Sequence, residues 1–135
     1  MFSEEQRTNI LNNFLENIWG ISNKAYQVRV WINGLGPEVD DYTETTCRFF
    51  EVVDSIIEES SDYNLTEHQI ELIKNLKQEF EEFNDNPMLY WTLNFIDTPK
   101  WEQVRQKAKL VVEEFHYQHR PFVPVSDTEQ SSRDS

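Results

Sequence analysis

Glu113 and His116 stand one helical turn apart, the spacing that carboxylate-bridged di-iron bundles use. Such centres need a second Glu-x-x-His pair and two further inward glutamates. Here there is one pair, near the end of the last expected helix, and His68 with Glu71 runs in the reverse order, so no metal centre is expected. Cys47 is the only cysteine. A reactive thiolate wants a histidine or a helix N-terminus beside it to lower its pKa. All three histidines are distant in sequence, and Cys47 reads as a buried residue on an apolar helix face beside Phe50. Gly34-Leu35-Gly36 could suggest a phosphate cradle. The residues that follow, Pro37, Glu38, Asp40 and Asp41, remove one backbone donor and oppose an anion. No Walker motif, nucleophile elbow, zinc pattern or calcium-loop spacing occurs. The chain is expected to hold no catalytic set, no cofactor and no metal, and not to be an enzyme.

What the sequence does concentrate is negative charge. From Glu38 to Glu67 there are ten carboxylates against one base, Arg48, and this stretch supplies −9 of the net charge of −13. Such a field repels nucleic acid and anionic membranes and attracts basic partners. The excess continues through Glu71, Glu79, Glu81 and Glu82. Two acid–aromatic pairs, Asp41-Tyr42 and Asp62-Tyr63, sit in the loops; a tyrosine among carboxylates would anchor a contact inside a steering field. The expected partner-binding residues are therefore Glu38, Asp40, Asp41, Tyr42, Glu51, Glu58, Asp62 and Tyr63. Lys100, Arg105, Lys107 and Lys109 stand early in the last helix, against the preference of the helix dipole. They are expected to face the acidic helices and leave the listed carboxylates unpaired. Crowding should raise carboxylate pKa values, so that mild acidification stabilises the fold.

These residues must be carried by helices. Ser3 with Gln6 forms a capping box, followed by Ile10, Leu11, Phe14, Leu15, Ile18 and Trp19 at helical spacing, with Gly20 as the stop. Residues 22–33 fit either a helix or an alternating strand; a lone strand would lack a partner, so a helix is expected. Gly34 to Pro37 breaks the chain. A third helix spans Tyr42 to Glu59, with Cys47, Phe49, Phe50, Val52, Val53, Ile56 and Ile57 on its apolar face. Thr66 with Gln69 caps a fourth, carrying Ile70, Ile73, Leu76, Phe80 and Phe83. Met88-Leu89-Tyr90-Trp91 falls between helices, as a plug over the core or an exposed anchor. Thr98 with Pro99 opens the fifth, with Trp101, Val104, Ala108, Val111, Val112 and Phe115 facing inward.

The expected architecture is all-α: one acidic helical domain over residues 1–118, a bundle of about five helices, and a polar, poorly ordered tail over 119–135. Leu, Ile, Val and Phe make up 37 of 135 residues, above the ~20 percent below which charged chains tend to stay disordered. A single cysteine, an acidic N-terminus and no long apolar run point to a soluble cytoplasmic chain. In size and charge alone the chain resembles immunity proteins as a class. The function expected is protein binding, as an immunity- or antitoxin-type inhibitor of a basic toxin such as a nuclease. The alternative is an adaptor or regulatory helical protein that binds a basic cellular partner without catalysis.

Overall fold

The computed structural model describes residues 2–91 and 93–120. It is an all-α bundle: α1 Glu4–Ser22, a short α2 Lys24–Tyr26 that widens into a π-helical segment Gln27–Ile32, α3 Tyr42–Glu58, α4 Glu67–Asn84 and α5 Pro99–Glu114. Two 3₁₀ turns, Pro87–Leu89 and Leu93–Asp97, connect α4 to α5. Among the described residues there is no strand. Helix α5 lies against both α1 and α4, and α3 against the same two.

The caps act where the sequence puts them. Ser3 with Gln6 and Thr66 with Gln69 close both hydrogen bonds of a capping box. Asp41 and Thr98 each accept a backbone N–H at the start of α3 and α5. Each cap satisfies donors that the first turn of a helix cannot satisfy itself.

Gly20 does not stop α1, which runs two residues further. The Tyr26 ring packs over Gly20, 3.4 Å from where a Cβ would lie. Residues 24–32 are helical, within the 22–33 helix expected, after an extended break at Asn23, and Gln27, Val30 and Trp31 fall on the buried side.

Aromatic residues dominate the core. Trp101 is fully buried, with the rings of Trp31, Tyr42, Phe80, Phe83 and Phe95 all within 6.0 Å of its centroid. Beside it Gln27 joins three elements. Its Nε2 donates to the Gly20 and Ile21 carbonyls, and its Oε1 accepts from Trp101 Nε1 at 2.9 Å and Arg105 Nη1 at 3.1 Å. Arg105 is thus an interior residue, donating also to the Ile96 carbonyl and pairing with Glu102. A buried guanidinium is tolerable because each of its three nitrogens has an acceptor.

Cys47 is exposed, not buried. Phe49, Val53 and Ile56 form the buried line of α3, and Cys47 falls off that line, in the groove toward α4 beside Phe50, Glu81 and Asn84. His116 lies beyond the C-cap of α5, Phe115, with φ +52°, so Glu113 and His116 do not share a helix face. Met88-Leu89-Tyr90-Trp91 divides: Leu89 and Tyr90 pack on the core, while Met88 and Trp91 are 74% and 71% exposed. Of the tail expected from residue 119, His119 and Arg120 are docked on α1, and residues 121–135 lie outside the described residues.

Candidate partner-binding surface

The eight residues expected to bind a partner separate into two groups. Asp40 is the centre of a polar knot. Its side chain is 7% exposed. One oxygen accepts from Tyr26 Oη at 2.8 Å and Trp31 Nε1 at 3.2 Å. The other takes Arg48 Nη2 at 2.8 Å and the Asp41 backbone N–H at 2.9 Å. Thr45 Oγ1 lies 3.1 Å from both. This one carboxylate ties the π-helical segment, the loop before α3 and the first turns of α3 together.

Glu38 is held by Arg29 through two parallel bonds of 2.9 and 3.0 Å, the strong geometry for a carboxylate–guanidinium pair. Arg29 holds the Glu38 carboxyl below its usual range. The pair explains Gly36, which has φ +99° and a position where a Cβ would lie 2.1 Å from Arg29 Nη1. Of the two glycines in the Gly-x-Gly pattern, Gly36 makes room for a guanidinium, while Gly34 has open space about it and a φ of +64°.

Both tyrosines turn toward the core. Tyr42 packs among Trp31, Phe80, Phe83, Tyr90 and Phe95, and its hydroxyl donates to Asn84 Oδ1 at 2.7 Å. Burial pushes its pKa up. Tyr63 is 8% exposed, and burial, then the Glu59 charge, raises it too. The alternation of acid and aromatic that suggested a contact surface is a chain passing from solvent into the core.

Asp41, Glu51, Glu58 and Asp62 remain on the outside. Asp41 spends its carboxylate on the Glu44 N–H as the cap of α3. Glu51, Glu58 and Asp62, with Glu59 and Glu67, are exposed and make no ion pair among the described residues. The cations that meet α3 and α4 acids are Arg48 and Lys77, the latter 2.7 Å from Asp54. Among the described residues no cation of α5 pairs with an acid of α3 or α4: Arg105 is turned inward onto Glu102 of its own helix, and Lys100, Lys107 and Lys109 make no ion pair. The expected upward drift of crowded acids is also reversed at Glu38 and Glu102. Both move down, Glu38 chiefly through Arg29, Glu102 through Gln106 and then Arg105.

A second polar cluster, unforeseen from the sequence, lies on α1. Glu16 accepts from Tyr117 Oη at 2.5 Å and from the Arg120 backbone N–H at 3.2 Å, and its other oxygen sits 2.6 Å from His119 Nδ1. These partners are 101 to 104 residues away, so no local pattern could announce them.

No protein family, curated protein or solved structure matches this chain. No described helix is long and apolar enough to cross a membrane.

Proposed function

We propose that this chain is a protein-binding module that docks a basic protein partner on the outer face of α3 and the α3–α4 loop. Its most concrete form is an immunity- or antitoxin-type inhibitor of a basic toxin, with a nuclease as the chemistry best matched. The observation that carries this reading is the run of exposed carboxylates on the outer part of α3, the α3–α4 loop and the start of α4 that make no ion pair among the described residues: Glu51, Glu58, Glu59, Asp62 and Glu67. A surface held at uncompensated negative potential speeds encounter with a positive one. A nuclease is positive where it grips its substrate, so an acidic chain can compete for that face. Tyr63 is buried and Tyr42 is half-buried against the core, so the apolar contact is assigned to Met88 and Trp91, exposed beyond Asp85, the C-cap of α4, at the far end of that helix from the α3–α4 loop.

The test begins by capturing partners from the native lysate at low and high salt and assaying each for toxicity or nuclease activity with and without this chain. Replacing Glu51, Glu58 and Asp62 together by lysine should slow association with the captured partner severalfold at low salt and leave the circular dichroism unchanged. Replacing Trp91 by alanine should instead speed dissociation. Unchanged association of the triple variant would show that the acidic face is not the docking surface. A partner bound without loss of its activity would favour the adaptor.

A further inference from the structure

The segment Tyr117–Arg120 is held to α1 in the manner of a bound peptide. Beyond Tyr117, whose N–H bonds the Val112 carbonyl, its polar grip runs through α1 side chains. Glu16 takes the Tyr117 hydroxyl, the His119 ring nitrogen and the Arg120 N–H. The His119 ring lies flat on the Trp19 indole, with centroids 3.7 Å apart and planes 8° from parallel. Arg120 Nη2 donates to Asn13 Oδ1 at 3.0 Å. Carboxylate, indole and amide therefore stand along one face of α1 and receive a hydroxyl, a flat ring and a guanidinium in turn. Beside them a cavity of about 350 Å³ runs on from Trp19 and Arg120 past Gly20 and Tyr26 to Asp40 and Arg48. Asn17 lines it, and its Oδ1 is buried with no hydrogen-bond partner among the described residues. Among the described residues, the chain's own segment thus leaves space beside it for a longer side chain.

We infer that the Asn13–Glu16–Trp19 face of α1 is a recognition site for a short basic–aromatic peptide segment of a protein partner, occupied in this state by the chain's own Tyr117–Arg120, which such a segment displaces. The cis segment lowers apparent affinity in proportion to the fraction of time the site is filled. This site is separate from the acidic face: neither Glu51, Glu58 nor Asp62 takes part in it.

The probe is a labelled synthetic peptide carrying residues 116–120 of this chain, titrated by fluorescence anisotropy against the full-length protein. A full-length variant with Tyr117→Phe, His119→Ala and Arg120→Ala keeps the tyrosine ring in its packing and weakens the cis contact. If the segment is docked about nine-tenths of the time, this variant should bind the peptide roughly tenfold more tightly than wild type. Adding Glu16→Gln should cancel the gain. A scrambled peptide of equal charge should bind at least severalfold more weakly, which separates the site from the general attraction of an acidic protein. Equal binding by wild type and the triple variant, equal binding of the scrambled peptide, or no binding to either protein would overturn the inference.

Discussion

Asp40 offers the sharpest separation of a structural acid from a surface one. In the wild-type fold its two oxygens take donors from Tyr26, Trp31, Arg48, the Asp41 backbone and Thr45. Asp40→Asn keeps the volume and replaces one oxygen by an N–H₂ group. If the amide nitrogen faces Tyr26 and Trp31, the tyrosine hydroxyl can turn and accept, but the buried Trp31 N–H is orphaned. If it faces the other way, the Asp41 N–H is orphaned and Arg48 must swing into solvent, which its half-exposed side chain permits. Either arrangement leaves one donor unmet, at ~1–3 kcal/mol, and weakens the charge-assisted bonds that remain. The expected loss is about 2–3 kcal/mol for Asp40→Asn. Asp40→Ala removes the acceptor of Tyr26, Trp31 and Thr45 while Arg48 turns into solvent, and should lose at least as much, about 2–4 kcal/mol. Glu51→Gln and Glu58→Gln should stay within ~0.5 kcal/mol of wild type. Urea unfolding followed by tryptophan fluorescence measures all four. If Asp40→Asn falls within the range of the two exposed controls, Asp40 is an ordinary surface carboxylate and the reasoning that removes it from the docking face fails.

Trp101→Ala should destabilise by ~3–5 kcal/mol, because the ring is fully buried and its Nε1 meets Gln27; a calorimetric melt that moves only slightly would show a core able to refill the space. Gly36→Ala should disturb the Arg29–Glu38 pair, since φ +99° and the adjacent guanidinium leave no room for a Cβ; the expected cost is ~1–3 kcal/mol, and combining it with Glu38→Gln should add less than the two separately. Glu38 and Glu102 have folded pKa values below their ordinary ones, so their contribution is present above the unfolded carboxylate range and lost as pH falls through the folded values. Acid melts should therefore show stability declining below about pH 4, less steeply in Glu38→Gln; an identical acid limb in that variant would refute the pairing. On the alkaline side, burial and then the Glu16 contact push Tyr117 up to about 12. Its contribution is full below the unfolded tyrosine range and lost as pH rises through that value, so hydrogen exchange at residues 117–120 should quicken above about pH 10.

The helices were legible in the sequence because their signals are local. Ser3 with Gln6, Thr66 with Gln69 and Thr98 with Pro99 each act within one turn, and apolar spacing of three and four residues marks the buried faces of α1, α3, α4 and α5. The surplus of negative charge was equally legible, because charge is a property of composition. Which acids face solvent without a partner was not. Glu38 and Asp40 read as the same kind of residue as Glu51 and Glu58 until the π-helical segment brings Arg29, Tyr26 and Trp31 against them. Tyr42 and Tyr63 likewise followed acids in the sequence but turn inward, where the apolar ring gains more from burial than it would at the rim. Glu16 and His119 carried no mark at all, and Trp19 read only as part of the apolar face of α1, since a site assembled from residues a hundred positions apart exists only once α1 and the end of α5 pack together. Composition and short-range spacing determined the elements and the field around them; tertiary packing decided which charges that field retains.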